Sequence, residues 1–170
     1  QQAVTYPYSQ QAVTTIRVTP GPQYQDFTAQ TRQELTHQGF AISQQSDRMG
    51  ARLQGHALDT SKVTEMLSEG TVLGGVQVPR DGQPIVLLAD RQTTGGYPVI
   101  AVVARVDLPK LVQLTPGQQV QFQWIDLAQS QTLYSKNYGS SAAIKTAHQF
   151  QTRISSIREP AQRIATLFNN

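Results

Sequence analysis

Hydrophobic positions in this 170-residue chain fall into short runs broken by glycine, proline and small polar residues, which is the pattern of strands joined by turns. Thr14 to Val18 is β-branched and predicts a strand closed by Pro20-Gly21-Pro22. From Asp26, a plausible N-cap, Phe27 and Leu35 predict a helix that stops at Gly39. Phe40 and Ile42 alternate as a strand, as do Ala51 and Leu53. Thr71 to Val78 predicts an extended segment with Val72, Gly74, Val76 and Val78 on one face and Gln77 on the other; Gly74-Gly75 marks a bulge or a close backbone approach. Pro84 to Ala89 and Pro98 to Ala104 are too short for helices and predict a central pair of buried strands. Asp107 can cap a brief helix holding Leu108, Leu111 and Val112. Gln119 to Ile125 alternates cleanly, with Val120, Phe122 and Trp124 on one side.

Counted together, these strands predict a mainly β fold, a closed or nearly closed barrel with small helices across its ends. Ile85, Leu87, Val99, Ala101, Val103, Val120, Phe122 and Trp124 are expected to contribute to its core or to packing between elements. The Gln-rich residues 1–13 read as a leader or linker, in which Val4, Tyr6 and Tyr8 alternate. Residues 14–128 form the barrel domain and 129–170 a helical extension. In the extension Ile144, Phe150, Ile154 and Ile157 recur at helical spacing, and Pro160 divides Ser141 to Arg158 from Pro160 to Phe168.

Composition narrows the function. The 38% hydrophobic content suits one core, and zero cysteines exclude disulfides, thiol catalysis and Cys-ligated metals. The +3 charge belongs to the tail, where five cations from Lys136 onward face Glu159 alone and leave the body at −1. That balance argues against a nucleic-acid surface. No apolar run is long enough to span a bilayer, so no membrane is expected and the cytoplasm is the expected location. Phosphate loops and nucleophile elbows are absent from the sequence, and His37, His56 and His148 are scattered, so no metal site is expected.

Two polar clusters exceed what turns need. Asp90 to Tyr97 (DRQTTGGY) joins the two central strands with charges, amide, hydroxyls, phenol and a glycine pair, whereas a plain hairpin needs only Gly95-Gly96. Ser46-Asp47-Arg48-Met49-Gly50 is the second; an exposed turn with a weak ion pair also explains it. Asp47, Glu69 and Asp90 lie near glycine-bearing turns and could converge as acid or base.

Ser46 to Gly50, Ser68-Glu69-Gly70, Gly75 to Pro79, Gly82 to Asp90 and Gln92 to Pro98 (QTTGGYP), in that order and spacing, resemble the carboxyltransferase-type family of allophanate hydrolase subunit 2, the Kip antagonist KipA and the 5-oxoprolinase C subunit. The carboxyltransferase region of urea carboxylase is similar. The resemblance covers about Thr15 to Ala128 and implies a cyclophilin-like β-barrel. It also implies work on a small amide, lactam or urea-like compound within a multi-subunit amidohydrolase or carboxyltransferase, with ATP or carboxybiotin used by the complete complex. A KipI-like subunit and an amino-terminal half of related fold are the implied partners, and Val99 stands where many relatives carry Lys or Thr. On this reading Asp90, Arg48 and Asp47 are the catalytic candidates, and Gln77, Gln92, Thr93, Thr94, Gly95, Gly96 and Tyr97 bind substrate. The alternative is a non-catalytic regulatory module of the KipA type that grips a partner subunit.

Overall fold

The computed structural model describes residues 13–63 and 66–138. The alternating Val4, Tyr6 and Tyr8 and the two helices expected from Ser141 lie outside these residues. Nine strands are described, β1 (Thr14–Pro20), β2 (Gly39–Ile42), β3 (Gly50–Gln54), β4 (Glu69–Gly70), β5 (Gly75–Gln77), β6 (Ile85–Leu87), β7 (Thr94–Gly95), β8 (Val99–Val103) and β9 (Gln119–Trp124). Seven of them close into a barrel in the order β1-β8-β5-β6-β3-β2-β9, while β4 and β7 pair separately as a two-stranded ribbon. Closure is made by β1 running parallel to β9, from Thr14 beside Val120 to Val18 beside Trp124; every other barrel pair is antiparallel. The predicted mainly β barrel is therefore the fold.

Alternation decides what fills it. Ile16, Val18, Phe40, Leu53, Val76, Val86, Ala101, Val103, Val120 and Phe122 point inward and pack as one cluster. Trp124 is half-buried against that cluster, while Ile85, Leu87 and Val99 lie on the opposite faces of their strands. Helix α1 (Ala29–His37) packs along β9 and buries Thr31 and Leu35. Its cap is Thr28, whose hydroxyl accepts from Thr31 N–H at 3.1 Å, and not Asp26, which belongs to a preceding 3-10 turn. Gly39 opens β2 instead of ending the helix, because Gln38 already turns the backbone extended.

Three other expectations change. The segment Thr71 to Val78 is not one strand, because Gly74 adopts φ +80° and turns the chain, so β5 begins at Gly75. The two apolar runs are not a pair either: β6 and β8 each pair with β5, which separates them. Asp107 starts α2 (Leu108–Val112) without capping it by its side chain. Its carboxylate is fully buried and accepts from Arg17 N–H (2.9 Å), Nε (2.7 Å) and Nη2 (2.6 Å), with Lys110 Nζ at 2.8 Å. A bidentate guanidinium fork thereby ties β1 to α2.

A third helix, α3 (Leu127–Tyr138), was not expected from the sequence; the helix expected from Ser141 lies outside the described residues. Asp126 accepts from Gln129 N–H at 2.7 Å and Gln129 Oε1 accepts from Asp126 N–H at 3.1 Å, a reciprocal cap of the capping-box kind. The chain divides after Ser130 into two units, one holding the barrel and one starting at Gln131.

Burial pushes the Asp107 carboxyl up, but the hydrogen bonds from Arg17 and Lys110 outweigh it and hold the group at about 2 against an ordinary 3.8. A depressed carboxyl stabilises the fold above the unfolded value and loses that contribution as pH falls through the folded one. Denaturant unfolding between pH 4 and 2 is therefore expected to lose about 2 kcal/mol from this group. Asp107→Asn should start less stable at neutral pH and lack that part of the acid dependence; parallel pH profiles for the two proteins would exclude the buried ion pair as its source.

Candidate functional site

The outward faces of three neighbouring strands make a wall. Arg52 of β3 stands opposite Ile85 of β6, and Ile85 stands opposite Gln77 of β5, while Gly50 stands opposite Leu87. Because Ala51, Val86 and Val76 point into the barrel, this alternate set faces out. A strap covers it. Its ribbon is β4 and β7, with Glu69 beside Gly95 and Gly70 beside Thr94. Thr71 continues the contact, its N–H donating to Thr93 O at 2.9 Å and its hydroxyl to Gln92 O. Gln23 moors the strap to the barrel, since its Nε2 donates to Glu69 Oε2 (3.3 Å) and its Oε1 accepts from Val99 N–H (3.0 Å).

Between wall and strap lies a cavity of about 520 Å³. Gln77, Ile85, Leu87 and Arg52 come from the wall, and Ser68, Thr71, Gln92, Thr94, Gly95 and Tyr97 from the strap and its approaches. Gln77 is buried, at 6% exposure, yet its amide makes only one long hydrogen bond, from Nε2 to Tyr97 O at 3.5 Å. Its carbonyl oxygen has no partner among the described residues. That oxygen is not sealed from solvent, so it faces the cavity as an open acceptor for a polar ligand. Gly95 packs closely beside it: a Cβ there would stand 2.9 Å from Gln77 Nε2 and 3.2 Å from Thr71 Cγ2, so the Gln77 side chain would have to move.

The cavity brings together Gln77, Gln92, Thr94, Gly95, Gly96 and Tyr97, with Asp47 at its edge. Asp47 is largely a turn residue, since its Oδ1 accepts from Met49 N–H (2.8 Å) and Gly50 N–H (3.0 Å). Arg48 and Asp90 pair at 3.0 Å, and Asp90 N–H donates to Arg48 O at 3.1 Å, so the turn and the link do meet. Neither side chain lines the cavity. Arg48 is 88% exposed and borders a separate, mostly apolar hollow with Leu88, Leu111 and Leu114. Thr93 contributes its carbonyl to the strap and is absent from the lining.

Sequence reasoning passed over Arg52 and Arg91, which both line the cavity. Arg91 Nε is buried without a hydrogen-bond partner. The signal for Arg52 was its place between inward Ala51 and Leu53; Arg91 could not be separated from its polar neighbours without knowing the strap. A larger hollow of about 810 Å³ lies across Gly96 and Tyr97, but loops and turns form most of it and only Val78, Pro79 and Pro98 flank barrel strands. Among the described residues no group of His, Cys, Asp and Glu could hold a metal ion, and no helix is long and apolar enough to cross a membrane.

This strapped barrel is a carboxyltransferase-type domain: the chain belongs to the family described as carboxyltransferase domain, subdomain A and B, whose match covers residues 1–124. It is 46% identical over 107 residues to the C subunit of 5-oxoprolinase from Escherichia coli, covering 63% of this chain and 34% of that protein. It is 42% identical over 122 residues to the C subunit of 5-oxoprolinase from Haemophilus influenzae, covering 72% of this chain and 40% of that one. The chain thus spans well under half the length of these relatives. The Kluyveromyces lactis urea carboxylase structure superposes with a TM-score of 0.64 at 26% identity, covering 72% of this chain and 12% of that one.

Because a methyl at position 95 must displace only the end of the Gln77 side chain, Gly95→Ala is expected to shift the Gln77 side-chain amide resonances while costing about 1 kcal/mol or less. Arg48→Gln should cost under about 1 kcal/mol, as exposed ion pairs do. A loss well above about 1 kcal/mol in either variant, measured by denaturant unfolding, would contradict this reading of the two contacts.

Proposed function

We propose that this chain is the barrel portion of a subunit of a multi-subunit 5-oxoprolinase-type enzyme, and that the strapped cavity binds a small amide, lactam or urea-like substrate. The observation that carries the reading is the buried, half-satisfied Gln77 amide facing a cavity of about 520 Å³. Family membership and the names of the two 5-oxoprolinase relatives support the substrate class. Allophanate-type chemistry would use the same amide-sized wall. Gln77, Gln92, Thr94 and Tyr97 are assigned to substrate binding with Gly95 and Gly96; the Gly95 N–H is committed to the ribbon beside Glu69, and the Gly96 N–H is the donor assigned to a developing oxyanion. Thr93 shapes the strap. Asp47 Oδ2 has no partner among the described residues and can take a proton from attacking water or hold that water. Arg48 and Asp90 position the turn and the link from outside.

The groups implied for the complete enzyme differ in fit. ATP does not fit the cavity, because no helix contributes an N-terminus to its lining and its cations come singly from a strand and a loop. A carboxylated ureido ring does fit, with Arg52 and Arg91 for the carboxylate and Gln77 for the ureido edge. Bound there, carboxybiotin would supply a transferable carboxyl group. Remaining parts of the enzyme, including a KipI-like partner, are proposed to complete the reaction in the cytoplasm.

The test is kinetic, on the enzyme reassembled from the full-length subunit and its partners. Gln77→Leu is expected to cut kcat/KM at least about tenfold, roughly 1.4 kcal/mol of transition-state stabilisation. Arg48→Gln should lower it less than about threefold, since its pair is exposed. Undiminished kcat/KM in Gln77→Leu would remove the cavity from the chemistry, and loss of subunit assembly with no loss of turnover per complex would make the barrel a gripping module.

A further inference from the structure

We propose that Gln23 is a positioning residue for the candidate site, a fixed post whose amide latches the β4-β7 ribbon, and that releasing the latch swings the ribbon off the cavity. That this gates a substrate rests on the cavity being the substrate site; the hinged ribbon itself does not.

The post is rigid. Gly21 N–H donates to Ile100 O (3.0 Å) and Gln23 N–H to Val99 O (3.2 Å), so the turn after β1 lies against β8. A Cβ at Gly21 would stand 2.3 Å from Val99 O, which leaves no room for the turn to shift inward. The Gln23 side chain repeats the attachment, its Oε1 accepting from Val99 N–H at 3.0 Å. Its amide nitrogen is thereby aimed at Glu69 Oε2, 3.3 Å away. An amide carries an acceptor and a donor, and here the first is used on the barrel and the second on the ribbon.

The ribbon it holds is put together to move as one piece. Its roots are firm: Gly74 N–H donates to Leu87 O and Gly74 O accepts from Val103 N–H, both at 2.8 Å, while Asp90 N–H donates to Arg48 O at 3.1 Å and Val78 N–H to Pro98 O at 3.0 Å. Between the roots the two arms bond each other, through Thr71 N–H to Thr93 O at 2.9 Å and through the Thr71 hydroxyl to Gln92 O. No residue from Glu69 to Leu73 or from Gln92 to Tyr97 is buried, so no apolar core ties the arms down. Toward the barrel the bonds are long, 3.3 Å from Gln23 to Glu69 and 3.5 Å from Gln77 Nε2 to Tyr97 O. Firm roots, arms bonded to each other and weak contacts to the floor beneath are the properties of a lid.

The direction of the latch separates it from the mooring on Val99. A carboxylate at position 23 would still accept from Val99 N–H, but it would face Glu69 with a like charge and no donor. An amide placed at 69 at the same time would donate back to that carboxylate and remake the bond in reverse.

The chain has no cysteine, so a single Leu87→Cys, buried on the cavity wall under the ribbon, reports opening through its rate of labelling by N-ethylmaleimide. In that background Gln23→Glu is expected to speed labelling of the 170-residue chain at least about tenfold, the scale of a lost hydrogen bond to a charged group, with circular dichroism unchanged. Adding Glu69→Gln to Gln23→Glu should return the rate to within about threefold of its starting value, the coupling expected of two residues in direct contact. In the enzyme reassembled from the full-length subunit and its partners, Gln23→Glu should raise KM for 5-oxoproline at least about threefold, with less than about a twofold change in kcat, and the double variant should reverse the rise. Equal labelling in all three proteins, or a double variant that labels as fast as Gln23→Glu, would overturn the latch. Ile85→Cys, half-buried on the same wall, decides the matter where Leu87→Cys does not fold. Labelling that follows the exchange while KM does not would overturn the gating. Loss of the functional reading is distinguished by Gln77→Leu, whose undiminished kcat/KM would remove the substrate from the cavity and leave the labelling result unchanged.

Discussion

The cavity depends on β5 being paired along both edges. Its three residues lie between β6 and β8, with Val76 locked into the core against Val86 and Ala101 and Gln77 consequently turned out. A strand held on one edge only could slip by a residue, and a slip of one would exchange Val76 and Gln77, burying an amide in the core and exposing a valine. The apolar cost of that exchange is about 1.5 to 3 kcal/mol before the amide is counted. Core packing thus fixes the direction of the polar group. The irregular register between Val76 and Gln77 adds local twist at the same point.

From that constraint the remainder follows outward. Since β5 separates β6 from β8, the chain between them must pass over the barrel face instead of closing a tight hairpin. The crossing segment carries β7, which finds its partner in β4, and the ribbon so formed roofs the wall. Glycine at 95 allows the roof to approach the Gln77 amide closely. The Arg17–Asp107 fork ties β1, the strand that closes the barrel against β9, to the short helix after β8.

Much of the barrel was legible because burial obeys period two. In β9 the exposed glutamines and buried Val120 and Phe122 alternate as written in the sequence. The helix ends were not legible, as Thr28 and Asp26 offer similar caps and only tertiary packing chooses between them. Nor was the role of Asp107, whose cap-like position concealed a partner ninety residues away at Arg17. At the site, the QTTGGYP run announced itself by excess polarity, and Gln77 by its alternation with Val76. Arg48 and Asp90 drew attention as charges in sequence, yet the turn directs them to solvent. Arg91, adjacent to Asp90, turns toward the cavity, and a difference of one residue in a loop has no period from which to read it.

The most direct test of this account is a crystal structure of the chain soaked with 5-oxoproline. The ligand is predicted between the β3-β6-β5 wall and the strap, its ring N–H within about 3 Å of Gln77 Oε1. Density for the ligand across Gly96 and Tyr97 in the larger hollow, or beside Arg48 and Leu111, with the wall left bare, would contradict it.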